Sequence, residues 1–223
     1  MALAGPGPVV LELDDVSMTF TNGTVALRNV EMSIRAGTVH GLVGANGAGK
    51  STAIKILSGA WVPSGGSVVW HGDPVTWTGP GHARSRGIST IHQHVPLVPT
   101  LSVLENVYLE RSGLRRMSSS TRPDFDRLCD TVGYWIDPDR LVGALSIGDR
   151  QMVGILQALS CGAELVVMDE PTASLGADER DAVHAVVHRL RDEQGTAFLY
   201  TSHYLGEVLD LTDHLTVLRN GEV

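Results

Sequence analysis

Lys50 and Ser51 close the stretch Gly44-Ala45-Asn46-Gly47-Ala48-Gly49-Lys50-Ser51, which fits the pattern G-x-x-x-x-G-K-[ST]. Glycines at this spacing let backbone N–H groups curl around a phosphate. The Lys50 ammonium suits the β- and γ-phosphate oxygens of a nucleotide, and the Ser51 hydroxyl, followed by Thr52, suits a phosphate-bound Mg2+. The motif needs a strand before it and a helix after it. Residues 39–43 (VHGLV) read as a short buried strand, and residues 52–57 (TAIKIL) as the start of a helix. A helix N-terminus there adds a favourable dipole for an anion.

Other residues could complete such a site. Asp169 and Glu170 end the apolar run of residues 164–168, which reads as a central parallel strand buried on both faces. Ligands of parallel sheets bind at strand C-termini. An Asp there can hold Mg2+, and the neighbouring Glu can polarise an attacking water. Gln93 follows the strand-like residues 87–91, and its neutral amide can contact both Mg2+ and that water. His203 follows the strand of residues 197–201, where it can meet a γ-phosphate and position Glu170. Ser146 and Gly148 precede a helix running to about Ser160, and a helix N-terminus with a serine hydroxyl is a second phosphate site. Since the loop at residues 44–51 already holds one nucleotide, this second site suits the γ-phosphate of a nucleotide held by another domain.

The elements that must position these residues follow from pattern. Residues 9–13 and 26–34 alternate as strands do, with Asn22-Gly23 as a turn between them. Residues 63–66 read as a turn before the strand 67–70, which residues 71–74 close. Ser102 and Glu105 form a capping box ahead of a helix, residues 123–133 read as helical, and residues 147–160 carry apolar residues at helical spacing. Residues 118–120 suggest an exposed loop. An amphipathic helix at 178–191 separates the strands 164–169 and 197–201, and a last strand falls at 215–218. Strand, helix, strand in that order implies a parallel α/β sheet. The expected organisation is a flexible tail at 1–8 and one domain at 9–223, with a helical subdomain at about 95–160 inserted in the α/β core.

Bulk properties narrow the class. With 17 Lys and Arg against 25 Asp and Glu, the net charge is −8, and the basic residues show no cluster beyond Arg115-Arg116. That weighs against nucleic acid as a partner. A hydrophobic fraction of 43% supports a folded globular chain. Cys129 and Cys161 form no C-x-x-C pair, so free thiols are expected rather than zinc ligands. The first ten residues lack the basic start and apolar run of a signal peptide, and no apolar stretch approaches the roughly 18 residues of a membrane span. A soluble chain is expected, with any membrane contact made through a partner.

The order of Gly44–Ser51, Gln93, Leu145–Asp149, Leu165–Glu170 and His203 resembles the ATP-binding subunit of ABC transporters. The resemblance covers nearly the whole chain, from about Leu11 to Glu222. It implies a P-loop NTPase fold of the ABC type, with a β-rich edge and a helical insert. It implies ATP and Mg2+ as ligands, with Walker A, Q-loop, signature, Walker B and switch-His roles for those five segments in turn. It also implies that Phe20 stacks on adenine. Gly44, Ala45, Asn46, Gly47, Ala48, Gly49, Lys50, Ser51, Thr52, Ser146 and Gly148 then bind nucleotide. Ser51, Gln93 and Asp169 hold the metal, and Glu170, His203, Lys50 and Gln93 serve catalysis. The segments Ile91-His92-Gln93, Leu104–Val107, Leu145–Gly148 and Gln151–Val153 are similar to the first ATPase domain of ribose/galactose-type sugar importers. That group implies sugar import through transmembrane permease subunits, with a substrate-binding protein involved indirectly. It also implies a second ATP-binding domain, as a homodimer or fused in tandem, and a place on the cytoplasmic face of the plasma membrane. The chain holds one such domain, as a piece of a longer protein or as a single-domain subunit.

Two departures stand out. Ile147 and Asp149 replace the first Gly and the Gln of the usual LSGGQ signature. Gly176 replaces the Asp of the usual S-A-L-D segment, which puts coupling between two nucleotide sites in doubt. The alternatives are a non-transport ABC ATPase, or an ATP-binding regulatory module with little turnover. A P-loop kinase leaves Leu145–Asp149 unexplained.

Overall fold

The computed structural model describes residues 7–112 and 121–223. In chain order its first elements are β1 (Val9–Thr19), β2 (Val25–Arg35), β3 (Val39–Val43), α1 (Lys50–Leu57), β4 (Gly65–Trp70), β5 (Asp73–Val75), α2 (Pro80–Ser85) and β6 (Ile88–Ile91). Three helices follow, α3 (Val103–Ser112), α4 (Thr121–Val132) and α5 (Ile147–Ser160). The chain then runs through β7 (Leu165–Asp169), α6 (Ala177–Gln194), β8 (Ala197–Thr201), α7 (Leu205–Leu211) and β9 (His214–Val217).

Two sheets result. The edge sheet is antiparallel, in the order β2-β1-β4-β5. The central sheet is parallel, in the order β6-β7-β8-β3-β9. Successive side chains of a strand point to opposite faces, and both faces of the central sheet are covered. In β7, Val166 and Met168 join the core formed with the helices, whereas Leu165 and Val167 join the core shared with the edge sheet. In β8, Phe198 and Tyr200 face the first and Ala197 and Leu199 the second. Burial on both faces explains why β3, β7 and β8 read as near-continuous apolar runs.

Local signals set the helix starts. Ser102 and Glu105 make the reciprocal bonds of a capping box: the Ser102 N–H donates to Glu105 Oε2 at 2.7 Å, and the Glu105 N–H to Ser102 Oγ at 3.2 Å. Ser146 caps α5 by accepting from the Asp149 N–H at 3.0 Å. Other boundaries differ from the sequence reading. β1 runs on to Thr19 through register irregularities against β2. Gly65 and Gly66 begin β4 rather than turn before it, and Asp73 and Pro74 form β5 with Val75. Of the expected tail, Gly7 and Pro8 are tied to the end of β2. Ala36 N–H donates to the Pro8 carbonyl at 2.9 Å, and the Arg35 guanidinium to that of Gly7 at 3.2 Å. Residues 1–6, the Arg115-Arg116 pair and the loop expected at 118–120 lie outside the described residues.

Candidate nucleotide site

Sheet order brings four strand ends into one row. β6, β7, β8 and β3 are consecutive and parallel, so their C-termini share one edge. Gln93 follows β6, Asp169 and Glu170 end β7, His203 follows β8, and the Gly44–Lys50 loop follows β3. These segments lie up to 159 residues apart in sequence, counting from Gly44 to His203. The sheet alone makes them neighbours.

The loop is held open for phosphate by its backing. A side chain at Gly44 would place its Cβ 2.3 Å from the Leu218 carbonyl oxygen. One at Gly49, where φ is +113°, would lie 2.7 Å from that of Ala26. Only glycine fits both constraints. The Lys50 ammonium folds back across the loop and donates to the carbonyls of Gly44 at 2.6 Å and Ala45 at 3.3 Å. Ser51 is exposed, and Thr52 is buried beneath it. A cradle closed to side chains, one ammonium and a free-standing hydroxyl suit a polyphosphate with a hard divalent cation.

At the neighbouring strand ends, Thr201 Oγ1 organises both acids. It donates to Asp169 Oδ1 at 3.0 Å and accepts from the Glu170 N–H at 3.0 Å. Glu170 adopts φ +50°, a conformation that costs a non-glycine residue about 1–2 kcal/mol. Such strain concentrates where geometry serves function. Its carboxylate Oε2 lies 3.3 Å from His203 Nδ1. An ionised carboxylate only accepts, so Nδ1 carries the hydrogen in this contact. The expected pairing of Glu170 with His203 is therefore present. Gln93 stands exposed at the end of the row.

Phe20 belongs to neither buried core. It is half-buried in a turn and meets the Trp61 ring edge-on, with centroids 5.1 Å apart. Lys55 Nζ lies 4.3 Å from the centre of that same indole.

Ser146 and Gly148 sit at the start of α5, which meets the start of α6. The Ser146 hydroxyl is exposed. The Gly148 N–H is buried and donates to Glu179 Oε1 at 3.2 Å, while Glu179 Oε2 accepts from the Gly176 N–H at 3.2 Å. One carboxylate thus spans the two helix starts, a favourable place for negative charge. Asp149, at the position of the signature Gln, accepts from the Tyr134 hydroxyl at 2.7 Å. Burial and that bond push the Tyr134 phenol up to about 12. Asp149 therefore ties α5 to the end of α4, and Ile147 projects beside Ser146 as an exposed apolar side chain.

The ABC transporter family's sequence profile matches residues 27–173. The chain belongs to the ABC transporter family. Ribose import ATP-binding protein RbsA 3 of Rhizobium meliloti (strain 1021) is 43% identical over 94% of this chain and 41% of the relative. Ribose import ATP-binding protein RbsA 1 of Streptomyces coelicolor is 44% identical over 97% of this chain and 43% of the relative. The chain spans about two fifths of the length of the curated relatives it matches. An ATP-binding cassette of an ABC transporter, solved in its ADP conformation, superposes with a TM-score of 0.87 at 26% identity, covering 96% of this chain and 89% of that one. The ABC fold therefore extends over the described residues. This member of the family has the α/β cassette fold with a β-rich edge.

Sequence reasoning missed three residues of this ABC site. Thr201 carried a weak signal, as a hydroxyl at a strand end facing an acid. Glu179 lies three residues after Gly176, the spacing of a capping box without its usual hydroxyl. Glu207 gave no signal in pattern alone.

Proposed function

We propose that the chain hydrolyses ATP and that hydrolysis energises import of a small solute, a sugar, through a separate membrane permease. The pairing of Glu170 with His203 in the strand-end row beside the phosphate loop carries this reading. The Gly44–Gly49 amides and Lys50 hold the β- and γ-phosphates, and Phe20 stacks on adenine from its half-buried turn. Glu170 takes a proton from water as the oxygen attacks the γ-phosphorus in line, and the bond to the ADP oxygen breaks. His203 fixes the Glu170 carboxylate, and Lys50 offsets charge growing on the departing phosphate. Ser51, Asp169 and the Gln93 amide supply the oxygen donors that Mg2+ prefers. Bound there, the cation would neutralise phosphate charge.

A second ATP-binding domain completes the site. Its γ-phosphate meets the exposed Ser146 hydroxyl at the start of α5, and the Gly148 N–H becomes available as Glu179 yields. A groove beside His92, lined by Lys55, Ala60, Ile91, Val95 and Gln157, receives a helix of the permease. No helix among the described residues is long and apolar enough to cross a membrane. On the proposed reading, the chain works at the cytoplasmic face as a peripheral subunit of that permease. The net charge of −8 weighs against nucleic acid as a partner.

Reconstitution tests the transport reading. In liposomes with a ribose permease and its binding protein, the chain should drive ATP-dependent ribose uptake that stops with Glu170→Gln. ATP hydrolysis stimulated by ribosomes or DNA, with no uptake, would favour a non-transport ABC ATPase instead.

A further inference from the structure

We propose that Glu207 is a positioning residue that clamps the two catalytic strand ends together, acting through Ser202 on His203 and through Thr172 on the segment after Glu170. The inference rests on the reading that Glu170 and His203 serve hydrolysis.

Glu207 lies in the first turn of α7 and is 8% exposed. Burying a carboxylate is costly unless its lone pairs are met. Here the neighbours meet both oxygens. Oε1 accepts from Thr172 Oγ1 at 2.6 Å and from the Tyr200 hydroxyl at 2.8 Å, and lies 2.9 Å from His184 Nε2. Oε2 accepts from the Ser202 hydroxyl. These partners come from the loop after β7, from β8, from the segment after β8 and from α6.

Two of the four contacts lead to the chemistry. Ser202 Oγ, held by Glu207, accepts from the Tyr204 N–H at 3.1 Å. Those two residues flank His203, so the carboxylate sets the turn that aims the imidazole at Glu170. The Tyr204 ring lies against the His203 ring, with centroids 4.0 Å apart, and limits its swing. On the other side, buried Thr172 follows Glu170 by two residues, across buried Pro171. The same carboxylate oxygen that holds Thr172 also holds Tyr200, in the strand that leads to His203. A single group therefore fixes how the two catalytic side chains face each other. Burial alone would raise the Glu207 carboxyl, but the bonds from His184, Ser202, Thr172 and Tyr200 hold it down at about 2.

A carboxylate accepts from every neighbour, whereas an amide of the same shape turns two hydrogens toward donors. Glu207→Gln therefore breaks the clamp without emptying the site. Ser202→Ala cuts only the arm to His203, and Tyr200→Phe cuts an arm that does not pass through the turn. Three readouts separate the roles: amide hydrogen exchange at Tyr204, the melting temperature, and kcat with the KM for ATP. Glu207→Gln and Ser202→Ala should speed Tyr204 exchange by about 10-fold. They should lower kcat by about 10-fold or more, with KM changed less than about 2-fold. Tyr200→Phe should lower the melting temperature yet keep kcat within about 2-fold of wild type. Unchanged Tyr204 exchange in folded Glu207→Gln and Ser202→Ala would overturn the proposal. So would kcat losses that merely track melting temperature across all three variants. If Glu207→Gln fails to fold, Ser202→Ala decides alone. A wild type without turnover would contradict the hydrolysis reading, while Tyr204 exchange would still decide whether Glu207 holds the turn.

Discussion

Glu170 and Lys50 do different work, and their variants separate it. Lys50 donates to the Gly44 carbonyl inside the loop, so on the proposed reading Lys50→Ala removes charge that would meet phosphate in the bound ground state. ATP affinity should fall by roughly 10- to 100-fold, the value of one or two charge-assisted bonds, and equilibrium binding of a fluorescent ATP analogue reads it. Two further groups set an acid limb. Burial, with help from the charge of His214, lowers His40 from 6.5 to about 4. The unfolded chain binds more protons there between about pH 6.5 and 4, so stability falls as pH drops through that window. Glu207 is depressed from 4.5 to about 2, so its contribution is present above pH 4.5 and is lost as pH falls toward 2. Each is worth on the order of 3 kcal/mol. Urea unfolding of His40→Gln should lose the upper step and keep the lower one. An unaltered profile between pH 7 and 4 would assign that step elsewhere.

At the scale of elements, the strongest sequence signals were those with a single physical cause. β3, β7 and β8 are buried on both faces and read as apolar runs, and α3 and α5 are preceded by hydroxyl caps at Ser102 and Ser146. α7 was not legible because its pattern is mixed. Val208 and Leu211 are buried, but Leu205 and Leu209 face outward and Glu207 faces inward, so the apolar residues mark no single face. α2 is too short for any period, and β5 contains a proline. The caps allow a direct test. Ser102→Ala should cost α3 the bond from the Glu105 N–H to the Ser102 hydroxyl, about 1 kcal/mol in urea unfolding. Glu179 invites another. Its carboxylate joins the starts of α5 and α6, where Gly176 offers no side chain of its own. Glu179→Gln weakens that link and uncovers the Gly148 N–H. Dimer formation at a given ATP concentration should then become easier, by about 5-fold or more in half-saturating ATP. Sedimentation velocity measures it. A dimer weakened by the same variant would make Glu179 a support for the interface rather than a cover over it.

The whole molecule was legible as a family before it was legible as a site. Five motifs in order pointed to an ABC cassette, and the parallel order β6-β7-β8-β3 explains why residues so distant in sequence lie together. The strain at Glu170 and the carboxylate link of Glu207 were not legible, and Thr201 and Glu179 carried only weak local signals. Each depends on which strand or helix end lies beside which, and no local pattern encodes that. The chain carries a net charge of −8 and spans about two fifths of the length of the curated relatives it matches. The measurement that tests the central claim is Mg·ATP hydrolysis by wild type and Glu170→Gln, with the ATP-dependent dimer followed in the same samples. Turnover in wild type, and a stable ATP-bound dimer with turnover down by about 100-fold or more in Glu170→Gln, is the expected result. Hydrolysis by Glu170→Gln at the wild-type rate would contradict it.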